Sequence, residues 1–174
     1  REKGKKIPLP SKYGVHEKYY PKFRAIRSNH SALPIDRGKA LLWCFVNFRG
    51  SDVTVENPGK IQTDMANALI KDWSDEDWAS GLAIAITRNK TMDGFDADSA
   101  LASLESTVAS PARKADAAYQ RANLHRRGDS QKLNTALIHF IENYPSDDRV
   151  TRAKGYLKNA QLLTVGNQAP EFTG

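Results

Sequence analysis

Apolar residues in this chain recur at three- and four-residue spacing from about residue 13 onward, and prolines, glycines and Ser/Asp clusters interrupt them at short intervals. A stripe with that period lies along one face of a helix, and that face must be buried against another element. The expected fold is therefore all-α: a multi-helix antiparallel hairpin array over residues 13–163, followed by an extended C-terminal tail.

The segments can be placed one by one. Tyr19, Phe23 and Ile26 form a first stripe that stops near Asn29 and Pro34. Asp36 to Phe48 follows, with Asp36 as the expected N-cap and a nearly all-round apolar surface from Ala40, which predicts a central helix. Val53-Thr54-Val55 is bounded by Pro58-Gly59 and reads as loop. Ile61, Met65, Ala68 and Leu69 share a face of the next helix, which runs to Trp73. Ser74 is expected to cap a further helix with Asp75, Glu76 and Asp77 over its first turn and Trp78, Leu82, Ala85 and Ile86 inside. Asp96 or Asp98 caps the helix of Ala100, Leu101, Leu104 and Val108, and Ser110-Pro111 starts another. That one carries Ala115, Ala118, Tyr119 and Ala122, a small-residue face that a second helix can approach closely. Leu133, Ala136, Leu137, Phe140, Ile141 and Tyr144 are closed off by Pro145. Ser146-Asp147-Asp148 is expected to cap a last helix with Val150, Ala153, Tyr156, Leu157 and Ala160 inside and Gly155 at a close helix crossing. Helices of this length resemble tetratricopeptide hairpins, although the Trp, Gly and Phe signature positions are not filled in register.

The net charge of +6 is unevenly spread. Residues 1–30 hold nine Lys/Arg against two acids, while the remainder has seventeen bases against eighteen acids. The excess marks residues 1–12 as a basic flexible arm that attracts anions through a field that salt screens. Tyr13, Tyr19, Tyr20 and Phe23 interleave with these bases, but no recognised motif accompanies them, so specific nucleic-acid binding is disfavoured and Tyr19 and Phe23 are assigned to anchoring the first helix. The longest apolar run, Ala40 to Val46, is far short of the roughly 18 residues of a membrane span.

Chemistry-bearing residues are sparse. The one cysteine, Cys44, excludes an internal disulfide and a Cys-x-x-Cys motif, and its apolar setting predicts a buried, inert thiol. Asp75-Glu76-Asp77 points its carboxylates in different directions, and Asp93-Gly94-Phe95-Asp96-Ala97-Asp98 lacks the bidentate Glu of a calcium loop, so both are assigned to capping. Arg127-Gly128-Asp129 matches an adhesion tripeptide but sits where a helix-to-helix turn belongs. His16, His30, His125 and His139 are dispersed, although His125 and His139 could approach each other across that turn. With no glycine-rich phosphate loop or nucleophile elbow, no catalytic, cofactor-binding or metal-ligating residue is expected.

The closing run Thr164-Val165-Gly166-Asn167-Gln168-Ala169-Pro170-Glu171-Phe172-Thr173-Gly174 resembles the V-G-x-x-A-P-x-F start of thioredoxin-like redoxins, the peroxiredoxin and membrane-anchored thiol:disulfide oxidoreductase group. Upstream, Tyr19-Tyr20-Pro21-Lys22-Phe23, Gly38-Lys39-Ala40-Leu41-Leu42-Trp43, Ala109-Ser110-Pro111 and Tyr144-Pro145 are similar to landmarks of the helical region before the redoxin domain in multidomain bacterial proteins. The resemblance implies that residues 164–174 begin a thioredoxin-like domain, cut short before its Cys-x-x-Cys or peroxidatic Cys. It implies a non-catalytic accessory domain whose partners are the adjacent thioredoxin-like domain and a protein partner or second copy, in an extracytoplasmic or periplasmic, cell-envelope setting. The alternative from the residues is a stand-alone helical binding protein whose basic arm grips nucleic acid, lipid or a wall polymer.

Overall fold

A computed structural model describes residues 12–48, 57–91, 93–126 and 128–162, with side chains from Tyr19 onward. The described residues form an all-α structure of eight helices: α1 (Lys12–Ser28), α2 (Pro34–Asn47), α3 (Pro58–Trp73), α4 (Leu82–Arg88), α5 (Ala97–Thr107), α6 (Pro111–His125), α7 (Ser130–Asn143) and α8 (Val150–Leu162). A 3-10 turn at Asp77–Ala79 separates α3 from α4. None of these helices is long and apolar enough to cross a membrane. The basic arm (except Lys12), the Val53-Thr54-Val55 loop and the C-terminal tail lie outside the described residues.

Helix starts follow local chemistry. Proline stands at the beginning of α2, α3 and α6, where its missing N–H costs nothing. Asn57 Oδ1 accepts from Lys60 N at 2.9 Å, Asp96 Oδ1 from Ser99 N at 3.0 Å, and Asp129 Oδ1 from Gln131 N and Lys132 N at 3.0 Å. Each such cap is worth about 1 kcal/mol. Asp96 and Asp129 thus serve as the turn and capping residues that their positions predict.

Two expected caps are corrected. The N-cap position of α2 is Leu33, three residues before the expected Asp36, which falls within the first turn of the helix. Ser74 ends α3 in αR geometry, and the next helix begins only at Leu82, leaving Trp78 in the 3-10 turn. The acidic run is used across the fold instead: Asp75 Oδ1 accepts from Ala109 N at 2.9 Å, while Arg113 reaches the Ser74 carbonyl at 2.6 Å and Asp77 at 3.1 Å. These bonds fasten the α3–α4 connection to the α5–α6 junction.

Consecutive helices joined by short turns pack on one another, α1 on α2 and α5 through α8 in series, while α2 also meets α3, α4 and the 3-10 turn. One core gathers Leu41, Cys44, Phe45, Leu69, Ile86 and Leu101 with their neighbours from α2 to α5. A second lies among α6, α7 and α8, around Tyr119, Leu137, Phe140 and Ala153. α6 serves both, giving Ala117 to the first and Ala115, Ala118, Tyr119 and Ala122 to the second. Its alanines let helices approach on two sides, of which the sequence pattern exposed one.

α1 departs from its expected stripe. Phe23 stacks on Trp43 at 4.3 Å between ring centroids, but Tyr19 and Ile26 remain 38% and 39% exposed, so Tyr20, Phe23 and Arg27 form the inward side. Gly155 is also corrected: it is exposed, and a methyl group added there would meet nothing within 4 Å.

Candidate functional site

The face expected on α3 turns out to straddle a boundary. Gln62, Met65, Ala66, Leu69 and Ile70 are buried, whereas Ile61 and Ala68 are only half-buried. That exposed edge lines a groove of about 440 Å³ between α1 and α3, above α2. The α1 wall carries Tyr20, Arg24 and Arg27 at i, i+4 and i+7, one turn of spacing apart. Arg37, Leu41 and Phe48 come from α2 and its C-terminal end. Ile61, Met65, Ala68 and Asp72 run along the α3 wall for about 16 Å at 1.5 Å per residue.

The charges of this groove are polarised. Arg37 Nε donates to the backbone carbonyl of Arg27 at 3.5 Å, which ties the Arg37 side chain to the end of α1. Among the described residues no carboxylate forms an ion pair with Arg24, Arg27 or Arg37. On the opposite wall Asp64 is held by Lys60 at 2.7 Å. Beneath the groove Cys44 is fully buried, and burial pushes its thiol up to about 11 against the opposing fields of Arg27 and Arg24. The expected burial of Cys44 is what the structure contains.

A second polar region joins α5, α6 and α7. Arg121 grips Asp98 with Nε at 3.3 Å and Nη2 at 3.2 Å, and His125 Nε2 lies 3.2 Å from the same carboxylate. Burial works against ionisation of Asp98, but the hydrogen bonds from Arg121 and His125 outweigh it and hold its pKa below the ordinary value. His139 Nε2 and the Tyr144 hydroxyl both meet Glu105 Oε1 at 2.7 Å. Asn143 Nδ2 lies 3.1 Å from His139 Nδ1, which assigns the donated proton to Nε2.

His125 and His139 therefore line one groove of about 480 Å³, as their positions across the turn suggested, but each is tied to its own carboxylate. Among the described residues no group of three or more His, Cys, Asp or Glu is placed to hold a metal ion. Asp96 caps α5, whereas Asp98 turns to Arg121 and His125 on α6. His30 is exposed in the α1–α2 turn, and the side chain of His16 lies outside the described ones.

Comparison with protein-family models finds no match, and neither the curated proteins nor the solved structures compared show significant similarity to the chain. What fold and geometry define among the described residues is the class: an all-α array of packed helices whose side grooves include one rich in arginine and one braced by histidine–carboxylate pairs.

Proposed function

We propose that this chain is the non-catalytic helical accessory domain of a thioredoxin-like redox protein, with tetratricopeptide-like hairpins that act as a spacer, dimerisation surface or partner-presenting platform. The observation that carries the reading is the run Val165-Gly166-Asn167-Gln168-Ala169-Pro170-Glu171-Phe172, which begins within three residues of Leu162, the last residue of α8. A helical array would then pass directly into the first strand of a redox domain. The buried Cys44 supports a structural role for the thiol, since thiol–disulfide exchange needs an accessible thiolate. Burying stripes between successive helices leaves grooves free for partners, which is how helical arrays present binding surfaces. The same resemblance supports a cell-envelope location.

Reading the parent gene beyond Gly174 for a Cys-x-x-Cys or peroxidatic Cys tests the neighbour. Dithiol-reduction assays test the division of labour: the present chain should be inactive and a longer chain carrying the next domain active. Turnover by the present chain that survives Cys44→Ala would overturn the proposal.

A further inference from the structure

We propose that the α1–α3 groove is a binding site for a soluble single-chain anionic amphiphile, with its carboxylate or phosphate head on Arg24, Arg27 and Arg37 and its apolar body along α3. The site stands independently of any neighbouring domain.

Its cationic wall comes first. Three arginines line one groove without an ion pair to any described carboxylate, and Arg37 is additionally held by its bond to the Arg27 carbonyl. Like charges brought together repel unless an anion sits between them, and guanidinium groups bind planar carboxylates and phosphates through paired N–H donors. The floor sets the second requirement. Ile61, Ala68 and Trp73, all half-buried, line it, so a purely ionic ligand would leave apolar surface facing water. The volume of about 440 Å³ falls in the ordinary range for small-molecule sites.

The opposite wall sets direction. Asp64 and Asp72 stand on α3, and Asp64 already has Lys60 as its counterion. They turn an anionic head toward α1 and α2 and leave the half-buried edge of Ile61 and Ala68 to the chain of the ligand. A cationic amphiphile would face three arginines against one unengaged carboxylate, so the groove discriminates by sign of charge.

The test is calorimetric titration of the protein with monomeric dodecanoate and dodecyl phosphate, with dodecyltrimethylammonium and phosphatidylglycerol vesicles as further arms. One or both anions should bind saturably at one site, and the cation should not. Arg24→Gln combined with Arg27→Gln should weaken that binding by about tenfold or more while leaving the helical circular dichroism unchanged. Ala68→Phe, which fills the apolar end without touching the arginines, should weaken it as well. Equal binding of the cation, an unchanged affinity in the arginine double variant, or no saturable binding of either anion overturns the proposal. Binding to vesicles without binding of the monomers also overturns it, in favour of a membrane-surface contact.

Discussion

Glu105 Oε1 on α5 lies 2.7 Å from His139 Nε2 on α7, and the Tyr144 hydroxyl donates to the same oxygen at 2.7 Å. One carboxylate with a side chain 13% exposed thus ties α5, a helix of the first core, to the second core. Glu105→Ala removes both bonds and should cost about 2–3 kcal/mol in urea denaturation. Glu105→Gln keeps a carbonyl acceptor for Tyr144 and should cost less. Burial, reinforced by Glu105, raises the Tyr144 pKa, so its phenol should titrate at lower pH in the Gln variant. Equal losses for Ala and Gln would show that the acceptor is not what matters.

Gly59 and Gly38 mark close approaches of different kinds. A Cβ on Gly59 would stand 2.2 Å from the Asp93 carbonyl oxygen and 2.3 Å from Gly94 C, both backbone atoms. Gly94 itself sits at φ +75°, the left-handed region that glycine adopts without strain. A Cβ on Gly38 would meet side-chain atoms instead, Trp73 Nε1 and Trp78 Cη2 at 2.8 Å. Gly38→Ala should cost about 1–3 kcal/mol and alter tryptophan emission, and Gly59→Ala should cost more. Thermal unfolding that ranks them the other way would contradict this packing.

Gln62 is fully buried, yet only half its amide is bonded. Its Nε2 donates to the Phe45 carbonyl at 3.0 Å, and Asn89 Nδ2 donates to the same oxygen at 3.1 Å. The carbonyl belongs to the last turn of α2, where acceptors lack helical partners, so two side chains from elsewhere finish that helix. Among the described residues Gln62 Oε1 has no hydrogen-bond partner. Gln62→Met removes that orphan while Asn89 still serves Phe45, so stability should stay within about 1 kcal/mol of the parent. A loss of several kcal/mol on denaturant titration would mean that the Gln62 bond is the essential one.

How far the sequence reaches depends on whether a residue's role is local. Asp96, Ser110-Pro111 and Asp129 mark helix starts within a few residues of themselves, and their positions could be read directly. Ser74 to Asp77 has the same composition, but its partners are Ala109 and Arg113, more than thirty positions away, and that pull cannot be seen in a capping pattern. The arginine groove was partly visible. Tyr20, Arg24 and Arg27 share a helix face, but within an N-terminal excess of bases they read as diffuse charge. Only the placement of α3 opposite them defines a site. The second face of α6 was hidden because Ala117 is as small and unremarkable as its neighbours.

Gly155 lies within α8, and among the described residues nothing lies within 4 Å of the position a Cβ would take. Glycine there loses backbone entropy without any packing return. Gly155→Ala should therefore stabilise the protein by about 0.5–1 kcal/mol, seen as a higher midpoint in chemical denaturation. A destabilised variant would point to a contact at that face made by another molecule.

Arg149 holds Asp147 through Nε at 2.7 Å and Nη2 at 2.6 Å, reaches Asp116 on α6, and lies over the rings of Tyr119 and Phe140. The Arg149 hydrogen bonds hold the Asp147 pKa down, from an ordinary 3.8 to about 2. Because the folded value lies below the unfolded one, the unfolded chain binds more protons between these pH values, and acid favours unfolding there. The contribution is fully present above about pH 4 and fades as pH falls toward about 2. Asp147→Asn should lower stability at neutral pH by about 1–2 kcal/mol and flatten the acid limb of the stability profile. Asp98, also depressed, should preserve part of that limb in the variant. Denaturation midpoints measured from pH 7 to pH 2 decide it: parallel profiles for parent and variant would remove Asp147 from the acid response.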